Sequence, residues 1–195
     1  MRKITIAASI VALMWIIFGI SRIAPESINS YGILPRTQEG LWGIVCAPFL
    51  HRDYEHITAN TIPVFVLTLV LLFFYENLAF RVWTLSTLMG GFLIWLFARG
   101  ESYHIGASGV IFSLLGFILA SGVVRKSFKS LLVAIPIFLI YGGVMWGIFP
   151  NSPDVSWEAH LFGLISGIAL AYFFRNVPSE GFFRQRNHDD AEYYG

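Results

Sequence analysis

Charge is scarce in this chain. Only 13% of its 195 residues are Asp, Glu, Lys or Arg, where a water-soluble domain carries about a quarter. Thirteen basic and twelve acidic residues leave a formal net charge of +1, which excludes a global field that recruits nucleic acid or acidic ligands. Cysteine is scarcer still. Cys46 stands alone, so no internal disulfide can form, and no Cys-x-x-Cys pair offers metal or redox chemistry. The zinc-protease motif His-Glu-x-x-His is missing, and the run from His51 to Glu55-His56 falls one residue off its inverted form. Neither a metal nor any other cofactor is expected.

What the chain has instead is apolar length. Hydrophobic residues make up 56% of it, gathered in runs near or above the roughly 20 residues that a helix needs to cross a bilayer. This is the sequence of an all-α polytopic membrane protein in contact with the lipid bilayer. Arg2 and Lys3 precede the first run, residues 4–20. That run is longer than the core of a cleaved leader and meets Pro25 where a small-residue cleavage site would be needed, so it reads as a first span. Residues 21–55 form a connection rich in Pro, Gly and Ser, too apolar between 41 and 50 for a free linker. An amphipathic segment at the interface, anchored by Trp42, fits that pattern. Further spans follow at 57–74, 82–98, 106–124, 131–149 and 158–174. Polar turns at 76–81 and 99–104, a basic turn of Arg125, Lys126 and Lys129, and a loop at 150–157 separate them. Residues 1–174 thus make a six-helix membrane domain with an interfacial loop between its first two helices, and 175–195 a polar tail of disorder-like composition.

Orientation follows from Lys and Arg. With the N-terminus inside, Arg2, Lys3, Arg81, Arg125, Lys126, Lys129, Arg175, Arg184 and Arg186 fall on the inner side, nine in all. Arg22, Arg36, Arg52 and Arg99, four, fall on the outer side. The positive-inside rule then puts both termini in the cytoplasm. The second, fourth and sixth spans run inward, and their outer ends carry His56 with Asn60, Ser108, and His160.

Four hydrogen-bonding side chains from distant parts of the sequence therefore share one depth. Polar groups in a membrane interior are costly and face the bundle core or a water-filled cavity. Small residues on the fourth span (Gly109, Ser113, Gly116 and Ala120) can be explained by close helix packing alone, but shared depth is not explained that way. His56 and Asn60, four apart, project from one helix face. Gly163 and Gly167 let the sixth helix approach a partner, for which Gly109 is the candidate, and such contact would bring the His160 ring to the Ser108 hydroxyl. A base beside a serine hydroxyl is the arrangement that activates a serine nucleophile. The Ser108 backbone N–H, at a helix N-terminus, and the side chains of His56 and Asn60 are candidate oxyanion donors. Glu158 lies two positions from His160 and faces the other way on a helix, so a dyad is expected rather than a triad.

These residues resemble the rhomboid intramembrane serine proteases. Gly106-Ala107-Ser108-Gly109 matches the family's Gly-x-Ser-Gly. His51, His56 and Asn60 match its second-helix spacing, and Ala159-His160 with Gly163 and Gly167 matches its sixth-helix pattern. The resemblance covers residues 41–174. It implies Ser108 as nucleophile, His160 as base, and His56 with Asn60 at the oxyanion hole. It also implies transmembrane protein substrates, entering sideways near the second and fifth helices in a bacterial or archaeal type of cell membrane. Two departures stand out. Trp42 is followed by Gly43 where the family often has arginine, a change expected to loosen the first loop. Phe112 replaces a common tyrosine, keeping a ring to stack under His160 without the hydroxyl.

His51 reads as a loop residue that caps or hydrogen-bonds locally, and His104 as a solvated one. The runner-up function is a non-catalytic rhomboid-like protein that binds transmembrane clients, although such proteins usually lack the serine or histidine kept here. A transporter is disfavoured by the absence of an evident repeat or a buried carboxylate to couple ions.

Overall fold

The computed structural model describes residues 1–24, 28–100, 102–150 and 156–179. Residues 25–27, with Pro25, residue 101, residues 151–155 and residues 180–195, with Arg184 and Arg186, lie outside the described residues. Among those described, all regular structure is helical apart from one isolated antiparallel bridge between Ile33 and His104.

The chain forms α1 (Arg2–Ile23), a short α2 (Gly40–Cys46) continued by a 3-10 turn (Ala47–Phe49), α3 (Tyr54–Phe74), α4 (Glu76–Phe97), α5 (Ser108–Val124), α6 (Phe128–Tyr141) and α7 (Trp157–Phe173). Among the described residues, four helical stretches are long and apolar enough to cross a membrane: α1, α3, α4, and α6 with the 3-10 stretch Gly142–Ile148 that continues it. Helices α5 and α7 are equally apolar but 17 residues each, about 26 Å of rise. The protein is an integral membrane protein.

Helix α5 is the axis of the bundle. Eleven of its 17 residues are buried, and it packs against α7 most extensively, then α6, α4 and α3. A helix apolar all round belongs in such a place, because no face of it has to meet water. Its contact with α7 is a backbone approach. A side chain on Gly163 would run into the Gly109 carbonyl, and one on Gly167 into that of Ser113. Deep in this contact the Ser113 hydroxyl lies 3.1 Å from that of Ser166 and 2.8 Å from that of Ser86 of α4, and the Ser166 O–H also faces the Gly163 carbonyl at 2.7 Å, which ties three helices by buried hydroxyls.

Boundaries differ from the sequence reading at three places, the first being Lys129, which lies inside α6 and not in the basic turn before it. Residues 76–81 are not a turn: α4 begins at Glu76, leaving only Tyr75 after α3. Glu76 sits in the first helical turn, where the macrodipole favours a carboxylate, and pairs with Lys3 of α1 at 3.0 Å. The fifth span is α-helical only to Tyr141 and then tightens into the 3-10 stretch. Gly142, Gly143 and Gly147 lie in that stretch, and each glycine weakens an α-helix by about 1 kcal/mol.

Candidate active site

The N-terminal ends of α3, α5 and α7 meet around a cavity of about 780 Å³ whose wall includes His56, Asn60, Ser108, Phe112 and His160. Ser108 is the first residue of α5. Its backbone N–H is one of the helix's unpaired initial donors, so it brings a donor and the positive end of the dipole to the cavity. The segment leading to it is fixed from below, since the Gly106 N–H donates to the Ala47 carbonyl at 2.9 Å. Gly106 has φ +111°, a conformation that side chains resist. A side chain there would also strike the His56 ring. His56 therefore lies directly against the backbone two residues before the serine.

His160 is held on both sides. Its ring stacks on Phe112 at 4.2 Å between centroids and 5° between planes. Nδ1 lies 2.8 Å from the Gly147 carbonyl. A carbonyl can only accept, so Nδ1 carries the proton and Nε2 presents a lone pair. Gly147 must be small to come this close, because a Cβ on it would lie 3.0 Å from Nδ1 and 3.3 Å from Phe112. Among the described residues no hydrogen bond joins Ser108 to His160. Such bonds are often long before substrate binds.

On α3, Asp53 caps the helix by accepting from the His56 N–H at 2.8 Å. Asn60, 4% exposed, donates one amide N–H to the His56 carbonyl at 2.8 Å. That bond fixes its amide plane at the cavity wall and leaves it a second N–H. His51 is a loop residue, but a buried one, and the Phe49 backbone lies close enough to act on its ring. It is 1% exposed, packs edge-on to His56 at 4.9 Å, and neither ring nitrogen finds a partner among the described residues. Burial, and next the neighbouring His56, hold its pKa down to about 4.

Three other expectations change. His104 is not solvated: it is 3% exposed, and burial lowers its pKa. Glu158 is a buried carboxylate, 4% exposed, which the sequence reading did not anticipate. One of its oxygens turns to Arg99, whose Nε lies 3.2 Å from it, and the His160 Nδ1 finds the Gly147 carbonyl instead of this carboxylate. Gly43 does not loosen the first loop. Any side chain on it would collide with the backbone of Gly32 and Ile33, so glycine is what seats α2 there. Arg36, seven residues earlier, anchors the same loop by donating to the carbonyls of Leu96 (3.2 Å) and Ala98 (2.7 Å) at the end of α4.

Sequence reasoning missed Gly147, Arg99, Arg36 and the buried role of His104. Gly147 acts through its carbonyl, which no residue type announces. Its one signal is the cluster of glycines in an apolar run.

A model of the Rhomboid domain matches residues 38–177. An uncharacterized protein of Mycobacterium tuberculosis is 33% identical over 178 residues, 86% of this chain and 73% of the relative. RHOMBOID-like protein 1 of Arabidopsis thaliana is 30% identical over 152 residues, 75% of this chain and 38% of the relative. A Bacillus subtilis protein whose name assigns it provisionally to the rhomboid proteases is 23% identical over 174 residues, 87% of this chain and 86% of the relative.

Proposed function

The chain belongs to the rhomboid family, and from that premise we propose that it is an intramembrane serine endopeptidase working by a Ser108–His160 dyad. The observation that carries the reading is the state of His160, clamped between the Phe112 ring and the Gly147 carbonyl in one cavity with Ser108, His56 and Asn60. Nδ1–H is committed to the carbonyl, so Nε2 is the atom that takes the Ser108 proton as Oγ attacks a scissile carbonyl carbon. The carbonyl does for the ring what an aspartate does in a triad, fixing tautomer and orientation without adding charge. As the tetrahedral intermediate forms, its oxyanion is met by the Ser108 N–H, the free amide N–H of Asn60 and the His56 ring. Collapse expels the amine half of the substrate with the proton held by His160. Water activated by the same Nε2 then releases the acyl half.

In this reading six helices span the bilayer, α5 and α7 included, with residues 1–174 as the membrane domain and 175–195 as a cytoplasmic tail. Both termini lie inside a bacterial or archaeal type of cell membrane, and the cavity opens outward. Nine basic residues against four support that orientation. The substrates are transmembrane proteins cut in or near their spans.

Purified protein in liposomes, given a single-span substrate and a strong chelator, should cleave it, and Ser108→Ala should not. Equal cleavage by Ser108→Ala would overturn the assignment of the serine. Loss of cleavage with chelator, restored by zinc, would overturn the dyad chemistry. A wild-type protein that binds the substrate without cutting it would favour the non-catalytic client binder.

A further inference from the structure

We infer that His104 is a positioning residue, which holds the first turn of α7, and with it His160, in register with the segment that carries Ser108. The functional half of this inference rests on the dyad reading above. Its structural half does not.

Both ring nitrogens of His104 are engaged. Nε2 lies 2.9 Å from the Arg99 carbonyl and Nδ1 lies 2.6 Å from the Ser156 hydroxyl. The carbonyl can only accept, so Nε2 carries the proton and Nδ1 accepts from the Ser156 O–H. The same Ser156 oxygen caps α7, accepting the Ala159 N–H at 3.3 Å. Donors and acceptors therefore run in one direction: Ala159 N–H to Ser156, Ser156 O–H to His104, and His104 Nε2–H to Arg99. Only the neutral Nε2–H form of histidine completes this chain. Its far end is one residue from His160.

The backbone of His104 is fixed as well, exchanging hydrogen bonds with Ile33 at 2.8 and 3.0 Å. Ser108 follows four residues later, with the Gly106 N–H bonded to Ala47 between them. One buried side chain thus joins the end of α4, the approach to the nucleophile and the cap of the helix that carries the base. The Arg99–Glu158 pair spans the same gap, with its carboxylate buried and its arginine side chain 37% exposed; ion pairs with an exposed partner contribute little.

Positioning of this kind is costly to lose, because a misplacement of about 1 Å can slow a reaction by roughly a hundredfold. The test measures steady-state kinetics on a single-span substrate and amide exchange at Ala159 and His160, both on the full chain in detergent. His104→Phe keeps a ring but no polar link, whereas His104→Gln keeps one donor and one acceptor. His104→Phe and Ser156→Ala should each lower kcat at least tenfold with KM changed less than twofold, and should speed exchange at the two amides. The double variant should be no worse than either single one, as expected for groups acting as a unit. His104→Gln should recover most of the lost kcat. A wild-type kcat and wild-type exchange in both His104 variants would overturn the inference, as would additive losses in the double variant. If the wild-type chain cleaves nothing, the protease reading fails. Exchange alone then decides the structural half: faster exchange at Ala159 and His160 in His104→Phe supports it, and unchanged exchange overturns it.

Discussion

His160 meets a carbonyl at Nδ1 where a triad histidine meets a carboxylate, and Asn60, which cannot titrate, presents an amide at the cavity wall. These two facts separate proton transfer from charge stabilisation. Losing one oxyanion donor costs about a hundred- to a thousandfold in rate, or about 3–4 kcal/mol. Asn60→Ala should therefore lower kcat by that amount, leave KM nearly unchanged, and keep the limb of the pH profile that belongs to His160. His160→Ala should cost at least as much and lose that limb. The opposite pattern would exchange the two roles. His51 supports a different prediction, about stability. Its pKa is held near 4, below its ordinary 6.5, chiefly by burial. Below pH 6.5 the unfolded chain gains a proton that the folded chain refuses, so stability should fall as pH drops toward 4 and stay flat above 6.5. A shift of that size corresponds to about 3–4 kcal/mol, and His104, also shifted down, adds in the same direction. Thermal unfolding of His51→Leu in detergent should show a shallower loss between pH 6.5 and 4 than the parent; an unchanged slope would mean that His51 is not the titrating group. At this scale the sequence located the polar side chains that the fold gathers at one cavity. Ser108, His160, His56 and Asn60 are legible because their residue types and spacings are local. Gly147, Arg36 and the His104 tie are not, since a backbone carbonyl or a tertiary contact leaves no local pattern.

The helices hold the site by how closely α5 and α7 approach. Two devices act in that contact, and their sizes differ. The buried hydroxyl relay Ser166–Ser113–Ser86 consists of interhelical hydrogen bonds worth about 1 kcal/mol each in a membrane. The glycine contacts are steric, because a methyl on Gly163 has nowhere to go but into the Gly109 carbonyl. Overpacking costs about 1–3 kcal/mol, and here it also moves His160, three residues before Gly163. Ser113→Ala should thus keep most activity with a small drop in melting temperature, whereas Gly163→Ala should lower both more steeply. A larger effect from Ser113→Ala, read by the same melting and cleavage measurements, would give the hydroxyls the leading role. Hydropathy located every long helix, because burial of apolar length is what it records. It misread residues 76–81, where a polar opening turn is as good a helix start as a turn between helices. It also missed the change of helix type after Tyr141, since hydropathy does not distinguish α from 3-10.

For the molecule as a whole, a scarcity of charge, a helical bundle and three helix ends converging on one cavity agree with the rhomboid family to which the chain belongs. The membrane class and the residues of the cavity wall were legible from the sequence, because a bilayer penalises stray polar groups and so concentrates them at the site. The ties that close the site across its rim, Arg99 with Glu158 and His104 with Ser156, join segments more than fifty residues apart and had to be seen in three dimensions. The proposed chemistry depends above all on activation of Ser108 by His160. The most direct measurement is labelling of the purified protein by a fluorophosphonate, with the adduct located by mass spectrometry. The adduct is predicted on Ser108, with Ser113 spared, and labelling should slow at least a hundredfold in His160→Ala. An adduct on another serine, or labelling of His160→Ala at the parent rate, would contradict it.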